Sequence, residues 1–183
     1  MIKPVKLDEI QKRLIREVAD LHDVPEGAYN FRVNGESAGR ASSANIEIEP
    51  KDNGTGLDIR IKPGTKRESV HIPVVMTQTG LTEVVYNDFY IGEGSDVTIV
   101  AGCGIDNCGQ QDSEHDGIHR FFVGKGAKVR YVEKHYGSGT GSGSEAGLSF
   151  FKRYSSSAPV SFAPGTRPQA TIPSPCSTAA PRA

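Results

Sequence analysis

The sequence predicts a mainly β protein built from stacked coils of strands, a β-solenoid, preceded by one short helix. One strand–turn–strand pattern occurs twice, at residues 89–100 and 121–132, with an offset of 32 residues. Glycine is abundant, with 21 residues, as tight turns between coils require. Apolar and polar residues alternate over residues 46–61. A repeated unit of this kind implies coils that stack on one another.

Composition limits the classes of protein that this chain can belong to. Its 183 residues favour one domain, and 36% hydrophobic residues without Trp suit a thin layered fold. A net charge of −1 offers no argument for a nucleic-acid partner. No apolar run approaches the roughly 20 residues that cross a bilayer, and the N-terminus has no apolar signal block. We therefore expect a cytoplasmic protein whose three cysteines, an odd number, form no disulfide framework.

Residues 1–27 are predicted to form an N-terminal helical segment. Apolar residues recur at helical spacing over residues 7–21, and Asp8 with Gln11 resembles a capping box. Those apolar residues are Leu7, Ile10, Leu14, Val18 and Leu21. Val-Pro-Glu-Gly at residues 24–27 ends the pattern. Because so short a helix is marginal alone, we expect it to dock on the β body or on a partner.

Residues 28–143 are predicted to form the β core. Asn53-Gly54 lies between two alternating runs and indicates a hairpin-like turn. The β-prone run at residues 70–75 contains Pro73, which suits an edge strand or a coil corner. The two Gly-x-Gly turns follow apolar triplets and precede alternating strands. Two ordinary antiparallel hairpins in a β-sandwich are the alternative explanation of the repeat.

The C-terminal segment, residues 144–183, is predicted to be disordered. It follows a Gly/Ser linker at residues 138–144, and six of the eleven prolines lie in the last 29 residues. Such a composition buries too little apolar surface to offset the cost of ordering the chain. A shifted reading frame that replaced a native C-terminal part is one hypothesis for this abrupt change.

The connection between the two repeats carries the residues best suited to metal or sulfur chemistry. Cys103, Cys108, His115 and His119 follow the spacing Cys-x4-Cys, six residues, His-x3-His. Thiolate is a nucleophile and a soft-metal ligand, and imidazole is the commonest nitrogen ligand. Zinc fingers use a longer gap before their histidines, so this match is loose. The four residues are therefore candidate ligands of a metal or an iron–sulfur cluster.

Each candidate also has a purely structural interpretation. Cys103 closes an alternating strand and fits a buried structural cysteine, and a reversible disulfide with Cys108 is a further option. His115 stands among Asp112, Glu114 and Asp116, a pattern typical of a solvated surface. His119 and His135 fit histidines at a strand edge.

The sequence contains no motif of common nucleophilic or nucleotide-dependent enzymes. Neither a Gly-x-Ser-x-Gly elbow nor a Walker-type phosphate loop is present. A carboxylate pair of the glycosidase kind has no sequence spacing, so a carbohydrate-acting β-helix enzyme stays open as a third hypothesis. The residues by themselves therefore offer few catalytic alternatives.

Several motifs, taken in order, resemble the SufB/SufD family and most closely its short, single-gene branch. The resemblance covers about residues 5–143. Its motifs are His-Ile-Pro-Val-Val at 71–75, Tyr-Ile-Gly-Glu-Gly-Ser-Asp-Val at 90–97, Ala-Gly-Cys-Gly at 101–104, Asp-Gly-Ile-His-Arg-Phe at 116–121 and Tyr-Val-Glu-Lys-His at 131–135. The resemblance implies a right-handed parallel β-helix that serves as an iron–sulfur cluster assembly scaffold of the SUF system, without enzymatic turnover. It also implies a SufC-type ABC ATPase and a sulfur-donor protein as partners.

The resemblance assigns roles residue by residue. Cys103 resembles the cysteine of the family's strand-ending Gly-Cys motif, which is implicated in receiving sulfur. Cys108, His115 and His119 belong to the short branch's own loop, where they would assist in ligating iron or a transient cluster. The tail departs from the family, whose C-terminal part grips the ATPase. Because an uncapped final coil exposes strand edges, we expect poor solubility or a homodimer formed through the open end. The alternative function is a non-catalytic β-solenoid interaction module with a structural zinc in the same loop.

Overall fold

The computed structural model describes residues 6–107, 111, 113–139 and 148–155. Within these ranges the chain is mainly β, with one helix and two mixed sheets, neither of which closes on itself. The elements are α1 (Glu9–Ala19), β1 (Ala28–Val33), β2 (Glu36–Ala41), β3 (Ile46–Pro50), β4 (Gly56–Ile61), β5 (Lys66–Met76), β6 (Thr82–Ile91), β7 (Asp96–Asn107), β8 (Glu114–Val123), β9 (Lys128–Gly139) and β10 (Leu148–Ser155). The mainly β prediction is confirmed.

From β4 to β9 the chain alternates between the two sheets. The larger sheet has the order β10-β9-β7-β5-β1-β2, and the smaller sheet has the order β3-β4-β6-β8. Strands β5, β7 and β9 are parallel neighbours, as are β4, β6 and β8. The repeat places Phe89 opposite Phe121 in the β6–β8 pair. Because the two copies pair in parallel, the alternative of two antiparallel hairpins is wrong for the repeat.

The Gly-x-Gly turns lie on one another at one end of the sheets. A Cβ on Gly92 would lie 2.3 Å from Pro63 N, and one on Gly124 would lie 2.6 Å from Glu93 N. The second glycines, Gly94 and Gly126, both have φ +67°, a conformation that side chains disfavour. The first glycine of each turn therefore permits close stacking, and the second permits the turn itself.

The hydrophobic core lies between the two sheets, next to these turns. Alternate residues of each strand point inward, as the period of two predicts. The largest fully buried side chains of this core are Phe89, Ile46, Ile59, Ile99 and Val70. The stacked rings of Phe89 and Phe121 have centroids 4.8 Å apart. Toward the other end of the sheets the inward positions become polar.

Helix α1 packs on the outer face of the larger sheet. Its N-terminus has the predicted capping box, in which Asp8 accepts from Gln11 N and the Gln11 side chain accepts from Asp8 N. Leu14 and Val18 are fully buried. A Cβ on Gly102 would lie 2.8 Å from Val18 O, so this glycine permits the close approach of the helix. The predicted helix and its docking on the β body are confirmed.

The predicted turn at Asn53-Gly54 is confirmed, because β3 and β4 are antiparallel with Ile46 opposite Ile61. The position of Pro73 differs from the prediction. This proline lies within β5, a central strand between β1 and β7, and not at an edge or corner. The β1–β5 ladder pairs Tyr29 with His71 and Arg32 with Val74, with no pair at Pro73. The missing proline N–H is tolerated at this gap in the ladder.

The prediction of disorder does not hold for all of residues 144–183. Residues 148–155 form β10, which is antiparallel to β9 along its whole length. The expectation rested on composition, but the edge of β9 supplies backbone hydrogen bonds that do not depend on side-chain periodicity. The other residues of the tail lie outside the described residues.

Candidate functional site

A polar cleft lies between the sheets, at the end away from the Gly-x-Gly turns. It encloses about 20 Å³, room for one water molecule or one ion. Its chemically active lining consists of Cys103, His115, His119, Glu133 and His135. Three of the four predicted site residues therefore line one cleft. The fourth, Cys108, lies outside the described residues.

The repeat explains why these side chains meet. Parallel pairing places residues 32 positions apart beside each other, with Glu83 beside His115 and Asn87 beside His119. The same offset places Cys103 beside His135 in the β7–β9 pair. Because all of these positions point inward, each pair presents its side chains to the same cleft.

Cys103 is buried, with 1% of its surface exposed. It packs with Val74, Met76 and Ile105 at the end of the apolar core. This environment matches the structural interpretation of the residue. A role in receiving sulfur would require the cleft to open, because a thiol reacts only where its partner can reach it.

His115 is also buried, at 5% exposure, so the interpretation of His115 as a solvated surface residue is wrong. Its Nδ1 lies 3.2 Å from Glu83 Oε2. Glu83 in turn accepts from Arg32 Nε at 2.6 Å. Burial alone would raise the pKa of Glu83, but the His115 hydrogen bond and the Arg32 charge lower it below its ordinary value. The carboxylate therefore accepts from Nδ1–H of His115 and leaves the Nε2 lone pair toward the cleft.

His119 is half-buried in the middle of β8. Its ring lies between those of Phe89 and Tyr131, with centroids at 5.8 and 5.7 Å. Burial, followed by the positive charges that His115 and His135 would carry, lowers the pKa of His119 to about 3. The imidazole is therefore neutral near pH 7, the form in which histidine binds metals.

A gap above Gly117 separates these two imidazoles. A Cβ at this position would lie 3.0 Å from His119 Nε2 and 3.8 Å from His115 Nε2. Any other residue at 117 would fill this space. The two histidines thus direct the same ring nitrogen toward one small volume.

Glu133 and His135 form the wall of the cleft on β9. Both are buried, and His135 Nε2 lies 3.5 Å from Glu133 Oε1. Glu133 pairs in register with Ala101, which also points inward. The cleft therefore combines a thiol, imidazoles and carboxylates, the donor set of borderline and soft metal ions.

Sequence reasoning missed Glu83, Asn87, Gly117 and Glu133. A usable signal was present in the 32-residue offset, which aligns Glu83 with His115 and Asn87 with His119. The alternation of inward and outward residues along β6 was a second signal. It places Glu83 and Asn87 on the same inward face as the apolar residues Val85, Phe89 and Ile91. Charged or amide side chains at inward positions of a strand indicate a built polar site.

Among the described residues, no group of three His, Cys, Asp or Glu side chains is already arranged to hold a metal ion. No described helix is both long and apolar enough to span a membrane. Comparison of the chain with protein-family models, with curated proteins and with solved structures found no match in any of the three.

Proposed function

We propose that this protein is a cytoplasmic iron–sulfur cluster assembly scaffold or accessory protein of the SUF type, without catalytic turnover. We also propose that its parallel strands are the rungs of a right-handed β-helix. The alternation of the chain between two sheets and the parallel pairing of strands at offsets of 29 to 32 residues support this arrangement. Its motifs resemble those of the SufB/SufD family.

The observation that carries the functional proposal is the convergence of a thiol and three imidazoles on one cleft. Cys103, His115, His119 and His135 come from three strands, yet all line it. Iron–sulfur clusters are held by thiolates, with imidazole as an occasional substitute. Buried polar side chains are costly unless they serve packing or a site, so their concentration here favours a chemical role.

The size of the cleft limits what this chain holds internally. About 20 Å³ accommodates one atom or ion and is too small for an assembled cluster. The proposed role is therefore acceptance of sulfur or iron, with the finished cluster held at the rim or between chains.

Sulfur acceptance at Cys103 follows ordinary thiol exchange. The Cys103 thiolate attacks the outer sulfur of a persulfide on a donor protein, and the donor's sulfur–sulfur bond breaks. The new sulfur–sulfur bond lies on Cys103, the donor leaves as a thiolate, and no external oxidant is needed. Because Cys103 is 1% exposed, this step requires the sheets to separate locally.

Its proposed partners are a SufC-type ABC ATPase, a sulfur-donor protein and a second copy of the chain. The first two follow from the resemblance alone, and the second copy follows from the open end of the proposed solenoid. A pull-down with purified candidates tests each of them directly.

Anaerobic reconstitution of the full chain with ferrous iron and sulfide tests the function. We expect visible charge-transfer absorption and bound iron and sulfide in the wild type, both reduced in Cys103→Ser. Cys176→Ser is the matched control, because it removes a thiol from the tail and should leave the absorption unchanged. Absence of colour in the wild type would contradict the proposal, as would full colour in Cys103→Ser.

A single-ion volume also favours a second candidate, an interaction module with a structural zinc. Zinc sites use thiolate, imidazole and carboxylate ligands, all present in the cleft. This alternative predicts colourless, stoichiometric zinc in the purified protein and no binding of sulfide. Metal analysis of the sample used for reconstitution separates the two functions.

A further inference from the structure

We propose that His115 and His119 bind a single divalent transition-metal ion in the gap over Gly117, and that unequal support of the two imidazoles keeps this ion exchangeable. The role of the ion, as iron on its way to a cluster, rests on the proposed function. The site itself rests on the geometry of β6 and β8.

The first argument is that the Nε2 atoms of both histidines border the same small space over Gly117. Residues 115, 117 and 119 share the inward face of β8, so the glycine separates the two rings. The position of a Gly117 Cβ is 3.0 Å from one Nε2 and 3.8 Å from the other. An ion there would bind each nitrogen at about 2.0–2.1 Å after small side-chain rotations.

The second argument concerns His115, whose tautomer is already correct for a ligand. Its Nδ1–H donates to Glu83 Oε2 at 3.2 Å, which leaves Nε2 as an acceptor. Arg32 donates to the same carboxylate and keeps it charged and oriented. A carboxylate behind a histidine is the usual outer support of a metal-binding imidazole.

At His119 the group that faces Nδ1 is a hydrogen-bond donor, whereas at His115 it is an acceptor. Asn87 Oδ1 accepts from Leu57 N at 3.1 Å, which turns Asn87 Nδ2 toward His119 Nδ1, at 3.5 Å. An amide donor at Nδ1 favours the proton on Nε2. Metal binding must therefore move this proton to Nδ1 and disturb Asn87, so part of the binding free energy is lost.

The remaining coordination positions face the wall formed by Cys103 and Glu133. No three donors among the described side chains are already in place, so water or a shift of this wall completes the shell. Two imidazoles beside a thiol and a carboxylate select Fe²⁺, Co²⁺ or Zn²⁺ over the hard ions Mg²⁺ and Ca²⁺.

A cobalt titration of the full chain, without iron or sulfide, tests the site. We expect one Co²⁺ per chain with visible d–d absorption. In Gly117→Ala the new methyl occupies the gap while every donor remains, and we expect affinity to fall by about tenfold or more. Gly137→Ala is the matched control, because no atom of the described residues lies within 4 Å of its added Cβ, and it should bind like the wild type.

A second variant changes the group that faces His119 Nδ1 from a donor to an acceptor and should raise the cobalt affinity. In Asn87→Asp a carboxylate oxygen still accepts from Leu57 N, and the other oxygen now accepts from Nδ1–H of His119. Nε2 then becomes an acceptor, so we expect cobalt affinity to rise by about tenfold. Asn53→Asp is the control, because this side chain lies in an exposed turn and accepts hydrogen bonds from Thr55, away from the cleft.

Wild-type protein without saturable cobalt binding would overturn the inference, as would equal affinity in Gly117→Ala and Gly137→Ala. His115→Gln replaces Gly117→Ala if circular dichroism shows that the latter is unfolded, and retained affinity there would overturn the inference too. Cluster formation without cobalt binding would leave the proposed function standing and remove only this site. Cobalt binding without cluster formation would leave this site standing and remove the proposed function.

Discussion

At the scale of single residues, Asp88 shows how this protein buries a charge beside charged partners. Asp88 is 1% exposed on the outer face of the smaller sheet. Lys51 Nζ donates to it at 2.7 Å and Arg120 Nε at 2.6 Å. Burial alone would raise the pKa of Asp88, but these hydrogen bonds lower it below its ordinary value.

Asp88→Asn should therefore destabilise the fold by about 1–3 kcal/mol at pH 7, because Lys51 and Arg120 lose the Asp88 carboxylate as a charged partner. A lowered pKa in the folded state means that the carboxylate stabilises the fold above its unfolded pKa. This contribution is lost as the pH falls through the folded value, so the variant and the wild type should converge under acidic conditions. Urea unfolding at neutral and acidic pH measures both effects. Asp52→Asn in the exposed turn is the control, and an equal loss there would contradict the argument.

The lowered pKa of His119 predicts a second pH dependence of the free energy of unfolding. Stability again falls as the pH falls, here between the ordinary pKa of 6.5 and the folded value of about 3. The unfolded chain therefore binds the extra proton first as the pH falls below 6.5, and the fold loses stability down to about pH 3. The slope is at most about 1.4 kcal/mol per pH unit.

His119→Gln should flatten this slope. The informative measurement is the urea midpoint at several values between pH 4 and pH 7, in both proteins. His22→Gln, a change at an exposed position, should keep the wild-type slope. Identical slopes in His119→Gln and the wild type would show that His119 is not the responsible group.

At the scale of elements, α1 depends on glycines in β7. A Cβ on Gly102 would lie 2.6 Å from Lys134 O and 2.8 Å from Val18 O, both backbone atoms. Neither atom can move without shifting β9 or the helix. This contact explains why a glycine lies in the middle of a central strand, where it would otherwise weaken the sheet.

Gly102→Ala should destabilise the protein by about 1–3 kcal/mol and loosen α1. Thermal unfolding measures the first effect, and limited proteolysis within α1 measures the second. Gly137→Ala, at a strand position where the added Cβ meets no other described atom within 4 Å, should leave both unchanged. Unaltered proteolysis of α1 in Gly102→Ala would indicate that the helix has room to adjust.

At the scale of the whole molecule, the edges of open sheets are the weak points. β10 covers the outer edge of β9 over eight residue pairs. Exposed strand edges promote pairing between chains. β10 therefore protects this edge of the larger sheet, whatever the origin of the tail.

A chain ending at residue 147 should associate at concentrations where a chain ending at residue 155 stays monomeric. The two differ only in β10, so the comparison isolates edge protection. Size-exclusion chromatography with light scattering measures the mass of each over a range of concentrations. If both shortened chains have the same mass throughout, β10 does not protect the edge.

The sequence by itself determined the mainly β class, the capped N-terminal helix and the register of the repeat. These features depend on local periodicity, capping and glycine placement, which can be read along the chain. The tertiary structure alone decided that Glu83, Asn87 and Gly117 surround the two histidines and that Cys103 is buried. It also decided that residues 148–155 pair with β9. These contacts join residues distant along the chain, either through strand pairing within a sheet or through packing between the sheets, and no local pattern contains them.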